Sequence, residues 1–218
     1  MIFEKVYIIS FVFNSEKRKK ISEYLINQLH ITNFEFIYGI DPKISNIKDV
    51  NIYDVNMMTE PYIFKDNYDR TGYYLHDISC GLAHLTIYQL ALSEGYEKIL
   101  IIEDDALFVK DNDIILNYFN NIPEDANIVH YGYIKIYGET IKYNDLYNKV
   151  TNGTHTIAGL QCYGICNKET LEKLITYQKN IFCVADQFIN KLINNYYISN
   201  KTLCIDPIHN KKEINELL

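Results

Sequence analysis

Two short runs of mostly apolar residues stand out in this chain, and each is followed at once by polar residues. Residues 6–13 read VYIISFVF and residues 98–102 read KILII, so neither run alternates apolar with polar side chains. Runs of this kind are typical of strands that are buried on both faces, as in sheets covered by helices. The sequence therefore predicts a sheet with a helical layer on each side.

Amphipathic helices separate the predicted strands. Ile21, Leu25 and Leu29 recur at helical spacing after a start that Asn14 or Ser15 can cap. Strands are predicted at 6–13, 34–38, 98–102, 126–131, 157–166 and 198–205, with further helices at 77–93, 111–121, 168–178 and 184–195. This alternation favours an α/β fold, a Rossmann-like α/β/α sandwich with a mainly parallel central sheet.

The length of 218 residues suits one domain spanning 1–218 and is below the roughly 250 residues of a complete eight-stranded α/β barrel. Residues 41–75 show no clean periodicity and are rich in tyrosine. A stretch this long without regular structure is unusual in a compact domain unless it serves as a lid or binding loop. We therefore predict an irregular lid there.

Composition restricts the partners and the compartment. Twenty-one Lys and Arg against 28 Asp and Glu give a net charge of −7, which argues against nucleic acid as a partner. The first apolar run is far shorter than the roughly 20 residues of a membrane span. Glu4 and Lys5 come directly before it, which is not typical of a signal peptide. Five cysteines without a CxxC pair fit a reducing compartment. We expect a cytoplasmic protein, or alternatively a virus- or host-cell-associated one, and a homodimer is left open.

Three consecutive acids, Glu103, Asp104 and Asp105, follow the second apolar run without a spacer. Adjacent carboxylates repel each other, and a divalent cation such as Mg²⁺ or Mn²⁺ removes that penalty. Ligands of open α/β sheets bind beyond the carboxyl ends of strands, where these acids are expected. If the strand alternation continues, Glu103 and Asp105 share a face and Asp104 points away. The alternative interpretation is that the three acids bind no metal and are solvated where the chain leaves the strand.

Four segments carry a resemblance to a known family. They are VYIISFVFNSEKR at 6–18, SCGLAH at 79–84, LIIEDDA at 100–106, and residues 158–174, which contain YGICNKETLEKL. In this order they resemble glycosyltransferase family 25, the lipooligosaccharide-biosynthesis and collagen-galactosyltransferase-like enzymes, over residues 5–190. Ala83 stands where the family usually has serine.

The resemblance implies a GT-A-like fold and a UDP-sugar donor whose diphosphate is bridged by Mn²⁺ or Mg²⁺. The implied reaction is the transfer of a hexose, galactose or glucose, to a hydroxyl group of a glycan or glycoprotein, with inversion. Residues 41–75 would then be an acceptor loop. Asp105, Glu103 and His209 are the implied metal ligands, with Asp206 as the rival of His209.

The resemblance also assigns roles to individual side chains. Inversion requires a carboxylate that takes the proton of the acceptor hydroxyl, and Asp186 is the candidate for that catalytic role. The residues expected to bind donor or substrate are Ser10, Asn14, Arg18, His84, Glu103, Asp104 and Gln187. Structural alternatives are a helix-capping role for Asp186, a core or surface position without substrate contact for His84, and a solvated position for Arg18.

Two other functions are compatible with parts of the sequence. The departures from the family pattern permit an inactive, glycosyltransferase-like binding or scaffold protein. A sugar nucleotidyltransferase would want a basic, glycine-rich phosphate loop after the first strand. The segment NSEKRKK at 14–20 contains no glycine, which argues against that second alternative.

Overall fold

The computed structural model describes residues 2–39, 70–137, 139–151, 156–178 and 193–207. The predicted lid at 41–75 lies outside the described residues except for 70–75. The predicted site residues Asp186, Gln187 and His209 lie outside them as well.

Strands and helices largely alternate over the described residues up to 120, and a series of strands over 128–165 precedes the last described helix. The helices are α1 (Ser15–Asn27), α2 (Arg70–Glu94), α3 (Asn112–Asn120) and α4 (Lys168–Gln178). The strands are β1 (Lys5–Ser10), β2 (Phe34–Tyr38), β3 (Ile99–Glu103), β4 (Leu107–Phe108), β5 (Ile128–Gly132), β6 (Lys135–Tyr137), β7 (Thr140–Lys142), β8 (Tyr147–Val150), β9 (Thr156–Ala158), β10 (Cys162–Ile165), β11 (Tyr196–Ser199) and β12 (Cys204–Ile205).

The main sheet has the strand order β2-β1-β3-β10-β5-β11-β8-β7, and β12 pairs with β5 and with β4 beside this path. Strands β2, β1 and β3 pair in parallel. Strand β10 is antiparallel to both β3 and β5, so β5 regains the direction of β3, and β11 follows it in parallel. The largely parallel central sheet predicted from the sequence is confirmed, with β10 reversed at its centre and β8 reversed toward one edge.

Helices cover both faces of this sheet, because successive strand residues point to opposite sides. On one face, Ile21 and Leu25 of α1 and Phe119 of α3 pack in a buried cluster with Leu100 and Ile102 of β3. On the other face, side chains of α2 and α4 pack with the alternate strand residues. That second cluster includes Ile87, Tyr88, Leu171, Leu174, Ile99 and Ile101. The predicted α/β/α layering is therefore confirmed.

The predicted first strand is too long. Strand β1 ends at Ser10, and the remaining apolar residues of the run leave the sheet, with Val12 and Phe13 exposed. Helix α2 begins at Arg70, seven residues before the predicted start, so the end of the predicted lid is helical. Apolar character alone marked neither boundary.

Two predicted strands are each divided in the structure. The run at 157–166 forms β9 and β10, separated by Gly159, whose φ of +91° disfavours other residues. The run at 198–205 contains the end of β11 and all of β12. No strand is predicted between 131 and 157, but the structure has the short strands β6, β7 and β8 there. None of the helices among the described residues combines the length and the apolar character that a bilayer span requires.

Gly164 of β10 supports a stability prediction. A Cβ atom there would lie 2.5 Å from Cε1 of Phe3 and 3.0 Å from Cγ2 of Val129. Gly164→Ala is therefore expected to lower the free energy of unfolding by about 1–3 kcal/mol, measured by urea denaturation. In a Phe3→Leu background the same change should cost less, since the obstructing ring is gone. Equal costs in both backgrounds would contradict the packing described here.

Candidate functional site

The carboxyl ends of β1 and β3 lie side by side at one edge of the sheet. Ile9 pairs with Glu103, and the backbone N–H of Asp104 donates to the carbonyl oxygen of Ile9 at 2.9 Å. The N–H of Glu103 donates to the carbonyl oxygen of Gln161, just before β10, at 3.0 Å. The polar residues that follow β1 and β3 therefore meet, as a parallel pair requires. We call Ser10, Asn14, Lys17, Asp104 and Asp105 the acidic edge.

Asp104 is held by side chains from β1 and the start of α1. Its Oδ2 accepts a hydrogen bond from the Ser10 hydroxyl at 2.5 Å and one from the Asn14 amide at 3.0 Å. Asn14 stands at the N-cap position of α1, but its side chain makes no capping hydrogen bond. The Asp104 side chain is 7% exposed. Three predicted donor-binding residues are thus brought together, and Asp104 fixes the β1–α1 loop to the end of β3.

Lys17 joins the two aspartates. Its Nζ lies 3.3 Å from Oδ2 of Asp105 and 3.6 Å from Oδ1 of Asp104. Partial burial acts to lower the pKa of Lys17, but attraction to Asp105 and Asp104 outweighs it, so this pKa is raised. The Asp105 side chain is 26% exposed and that of Lys17 is 44% exposed, which leaves this part of the edge accessible to a ligand. Sequence reasoning missed Lys17, whose signal is its place one helical turn after Asn14.

Arg18 braces the loop after β1. Its guanidinium donates to the carbonyl oxygens of Phe11 and Val12, the latter at 2.8 Å, and lies 3.4 Å from the Ser10 hydroxyl. The same group lies 5.3 Å from the ring centroid of Tyr38. These contacts place Arg18 beside the acidic edge with its donors engaged by the loop backbone. In this arrangement the loop shape depends on Arg18.

The three consecutive acids divide between the two faces of the sheet. Glu103 ends β3 and shares the side of Ile101, which faces α2, whereas Asp104 faces α1. The prediction that Asp104 points away from Glu103 agrees with this arrangement. The prediction that Asp105 shares the face of Glu103 is wrong, because Asp105 meets Lys17 beside Asp104. Strand alternation stops at Glu103, where a turn closed by a 3.0 Å hydrogen bond from the Ala106 N–H to the Glu103 carbonyl begins.

His84 lies in the interior, on the α2 side of the sheet. It is fully buried, and its Nδ1 lies 2.7 Å from the hydroxyl oxygen of Tyr163 on β10. That hydroxyl lies 2.7 Å from the hydroxyl of Tyr88, one helical turn after His84. Burial lowers the pKa of His84 to about 3, so the imidazole is neutral at physiological pH.

Cys80 and Glu103 lie next to His84. One ligand atom from each of these three residues falls within 4.8 Å of the other two. Cys80 and His84 are four residues apart on α2, so their side chains project from one face of the helix. Sequence reasoning assigned no role to Cys80 and missed this group. The Cys-x-x-x-His spacing on a predicted helix was the signal that could have found it.

Comparisons with known proteins connect this geometry to other chains. The family model described as glycosyltransferase family 25 (LPS biosynthesis protein) matches residues 3–189. Comparison with curated protein sequences gives no match. The family match includes the whole acidic edge and the Cys80, His84 and Glu103 group.

Similar solved structures have low sequence identity. They include a glycosyltransferase involved in glycosylation of the major capsid of PBCV-1, 13% identical with a TM-score of 0.46, covering 89% of this chain and 80% of that one. A197 from STIV is 12% identical with a TM-score of 0.46, covering 91% and 81%. The 4-diphosphocytidyl-2C-methyl-D-erythritol synthase from Anaerococcus prevotii is 12% identical with a TM-score of 0.45, covering 98% and 77%.

Proposed function

Because this chain belongs to glycosyltransferase family 25 and is a glycosyltransferase, we propose that it transfers galactose or glucose from a UDP-sugar, with inversion, to a hydroxyl group of a glycan or glycoprotein. The observation that supports this donor is the acidic edge. Carboxylates and a lysine meet there at the carboxyl ends of two parallel strands, where α/β sheets bind nucleotides. A GT-A-type arrangement of donor and sheet is part of the proposal.

The donor set of the acidic edge suits a hard divalent cation. Mn²⁺ and Mg²⁺ favour carboxylate oxygens, and Asp105 presents a partly exposed carboxylate. Asp104 is already engaged by Ser10, Asn14 and Lys17, so we assign it to positioning the loop. Asp105 would hold the cation, with His209 or Asp206 as a further ligand. A bound cation at Asp105 supplies charge stabilisation for the leaving diphosphate.

Glu103 is not assigned to this cation. It was expected to be the second ligand beside Asp105, but its side chain groups with Cys80 and His84 on the α2 side. In the proposed donor complex, Lys17 contributes positive charge from the start of α1. With 44% of its side chain exposed, Lys17 is free to turn from the aspartates toward the diphosphate of the donor.

Asp186 is proposed as the general base. An inverting transfer needs a carboxylate that accepts the proton of the acceptor hydroxyl as the oxygen attacks the sugar carbon. We propose that Gln187 and Arg18 bind donor or acceptor, and we propose a structural role for His84 in place of direct substrate contact. His84 is fully buried and its Nδ1 is engaged by Tyr163, which supports that change of role.

A screen of donor hydrolysis tests the proposed function. The full chain is incubated with a panel of UDP-sugars, with Mn²⁺ or with EDTA, and UDP release is measured. We expect release from UDP-galactose or UDP-glucose that requires the cation, together with a rise in melting temperature when donor and cation are added jointly. A ligand at 100 times its dissociation constant stabilises the native state by about 2.7 kcal/mol.

Two outcomes would contradict the proposal. Release of UDP that persists in EDTA would show that the reaction does not require the proposed cation. Calorimetry that detects no binding of any UDP-sugar, with or without Mn²⁺, would favour the binding or scaffold protein. Asp186→Asn separates the base from the donor site, since it should retain donor binding and lose transfer.

A further inference from the structure

We propose that Cys80, His84 and Glu103 form a binding site for Zn²⁺, on the α2 side of the end of β3. This site goes beyond the proposed function, which requires a hard cation at Asp105. The two sites draw on different ligands and face different helices, so each is testable without the other.

The first observation is the position of the ligand atoms. One donor atom from each residue lies within 4.8 Å of the other two. Around a tetrahedral Zn²⁺, neighbouring N, O and S ligand atoms are roughly 3.3–3.6 Å apart, given metal–ligand distances of about 2.0–2.3 Å. Metal binding therefore requires the partly buried Cys80 and Glu103 side chains to move closer to His84. Two of the ligands come from one face of α2, which fixes their relative positions.

The second observation is the imidazole of His84. Its Nε2 is buried and has no hydrogen-bond partner among the residues that the structure describes. A buried polar atom without a partner loses its hydration and gains no hydrogen bond, so such an atom calls for an explanation. A metal ion at Nε2 supplies one, because neutral imidazole is an ordinary zinc ligand.

Tyr163 supplies the orientation that a zinc-binding histidine needs. A histidine that binds metal through one nitrogen usually donates its other N–H to an oxygen atom. The Tyr163 hydroxyl stands 2.7 Å from Nδ1 and is able to receive this hydrogen bond while donating to Tyr88. Burial first, and then the neighbouring Tyr88, Cys80 and Glu103, hold the pKa of Tyr163 well above its usual value. In the metal-free protein Tyr163 is therefore a neutral phenol.

The chemistry of the ligand set selects the metal. A thiolate and an imidazole favour Zn²⁺ over Mg²⁺ or Mn²⁺, which prefer oxygen ligands. Binding converts the Cys80 thiol to a thiolate, and its proton passes to solvent. Three protein ligands leave the fourth tetrahedral position for water or a substrate atom, as in zinc sites that are not closed by four side chains.

Cobalt substitution tests the proposal on the full chain. Protein stripped with EDTA and dialysed is titrated with Co²⁺, which reports a thiolate ligand through a near-ultraviolet charge-transfer band. We expect this band at one equivalent, its displacement by Zn²⁺, and its loss in Cys80→Ser. Cys166→Ser is the matched control, because Cys166 lies buried on the other side of the sheet and should leave the band unchanged.

Further variants test the geometry. Tyr163→Phe keeps every proposed ligand and should weaken Co²⁺ binding by about 10–100-fold through the orientation of His84. Glu103→Gln should weaken it by at least as much. Absence of the band in the unaltered chain, or a band that survives Cys80→Ser, would overturn the proposal. Asp105→Asn should retain the band, so loss of sugar transfer and loss of zinc binding are distinguishable results.

Discussion

Asp105→Asn is expected to abolish sugar transfer and leave the fold intact. The substitution removes the charge of the carboxylate that is proposed to hold the donor cation, at a position where the side chain is partly exposed. Removing a group that only orients a metal ligand typically lowers affinity or activity by about 10–100-fold. Because Asp105 is the proposed ligand itself, we expect transfer to fall by at least about 100-fold. Transfer is measured as UDP release in the presence of acceptor, and the fold by circular dichroism and thermal melting.

Asp113→Asn is the matched control for this result. It makes the same change of charge at an exposed position in the first turn of α3. We expect it to retain activity and to lose only a few tenths of a kcal/mol of stability through the helix dipole. Full transferase activity in Asp105→Asn would refute the assigned role of this carboxylate.

Lowering the pH from about 7.5 to about 5 is expected to destabilise the metal-free protein. Burial lowers the pKa of His130 to about 3, and that of His84 likewise to about 3. An unfolded histidine has a pKa of about 6.5. The unfolded state therefore takes up protons that the folded state excludes, and the stabilisation present above pH 6.5 is lost as the pH falls toward 3. The expected slope approaches about 1.4 kcal/mol per pH unit for each histidine, measured by urea unfolding in EDTA.

His130→Asn tests this origin of the pH dependence. His130 stacks on Tyr163 and is hydrogen-bonded to the hydroxyl of Tyr196, so the variant should be less stable at neutral pH. The slope of its unfolding free energy against pH should nevertheless be smaller by the contribution of one histidine. His30→Asn, at an exposed position, should leave the slope unchanged. An unaltered slope in His130→Asn would show that other groups cause the acid sensitivity.

Local pattern predicted those elements whose boundaries depend on local chemistry. Phe34–Tyr38 and Lys168–Gln178 were predicted with the bounds that the structure gives them. The start of α1 at Ser15 also agrees. Both ends of β3 were predicted to within one residue. The change from an apolar run to three acids marks where the chain leaves the core. The position of the acids at a sheet edge followed from that boundary.

Tertiary contacts decided what the local pattern did not. The apolar run at 6–13 looks uniform, yet the sheet ends at Ser10 because Arg18 binds the carbonyl groups beyond it. The separation of Asp105 from the face of Glu103 depends on the turn after β3, which alternation does not describe. The insertion of β10 between β3 and β5 follows from long-range pairing that no local signal encodes.

The pairing of β1 with β3 also sets the order in which the site is assembled. Ser10 and Asp104, which share the 2.5 Å hydrogen bond at the acidic edge, are 94 residues apart in the chain. Contacts of this separation incur the entropy of closing a long loop before they contribute, which slows folding. During synthesis the edge cannot form until β3 has left the ribosome, and the carbonyl that receives the Glu103 N–H comes later still, at Gln161. Binding of the donor at the acidic edge, as proposed, would therefore require the completed fold, and a chain interrupted before β10 would hold the acidic residues without the site.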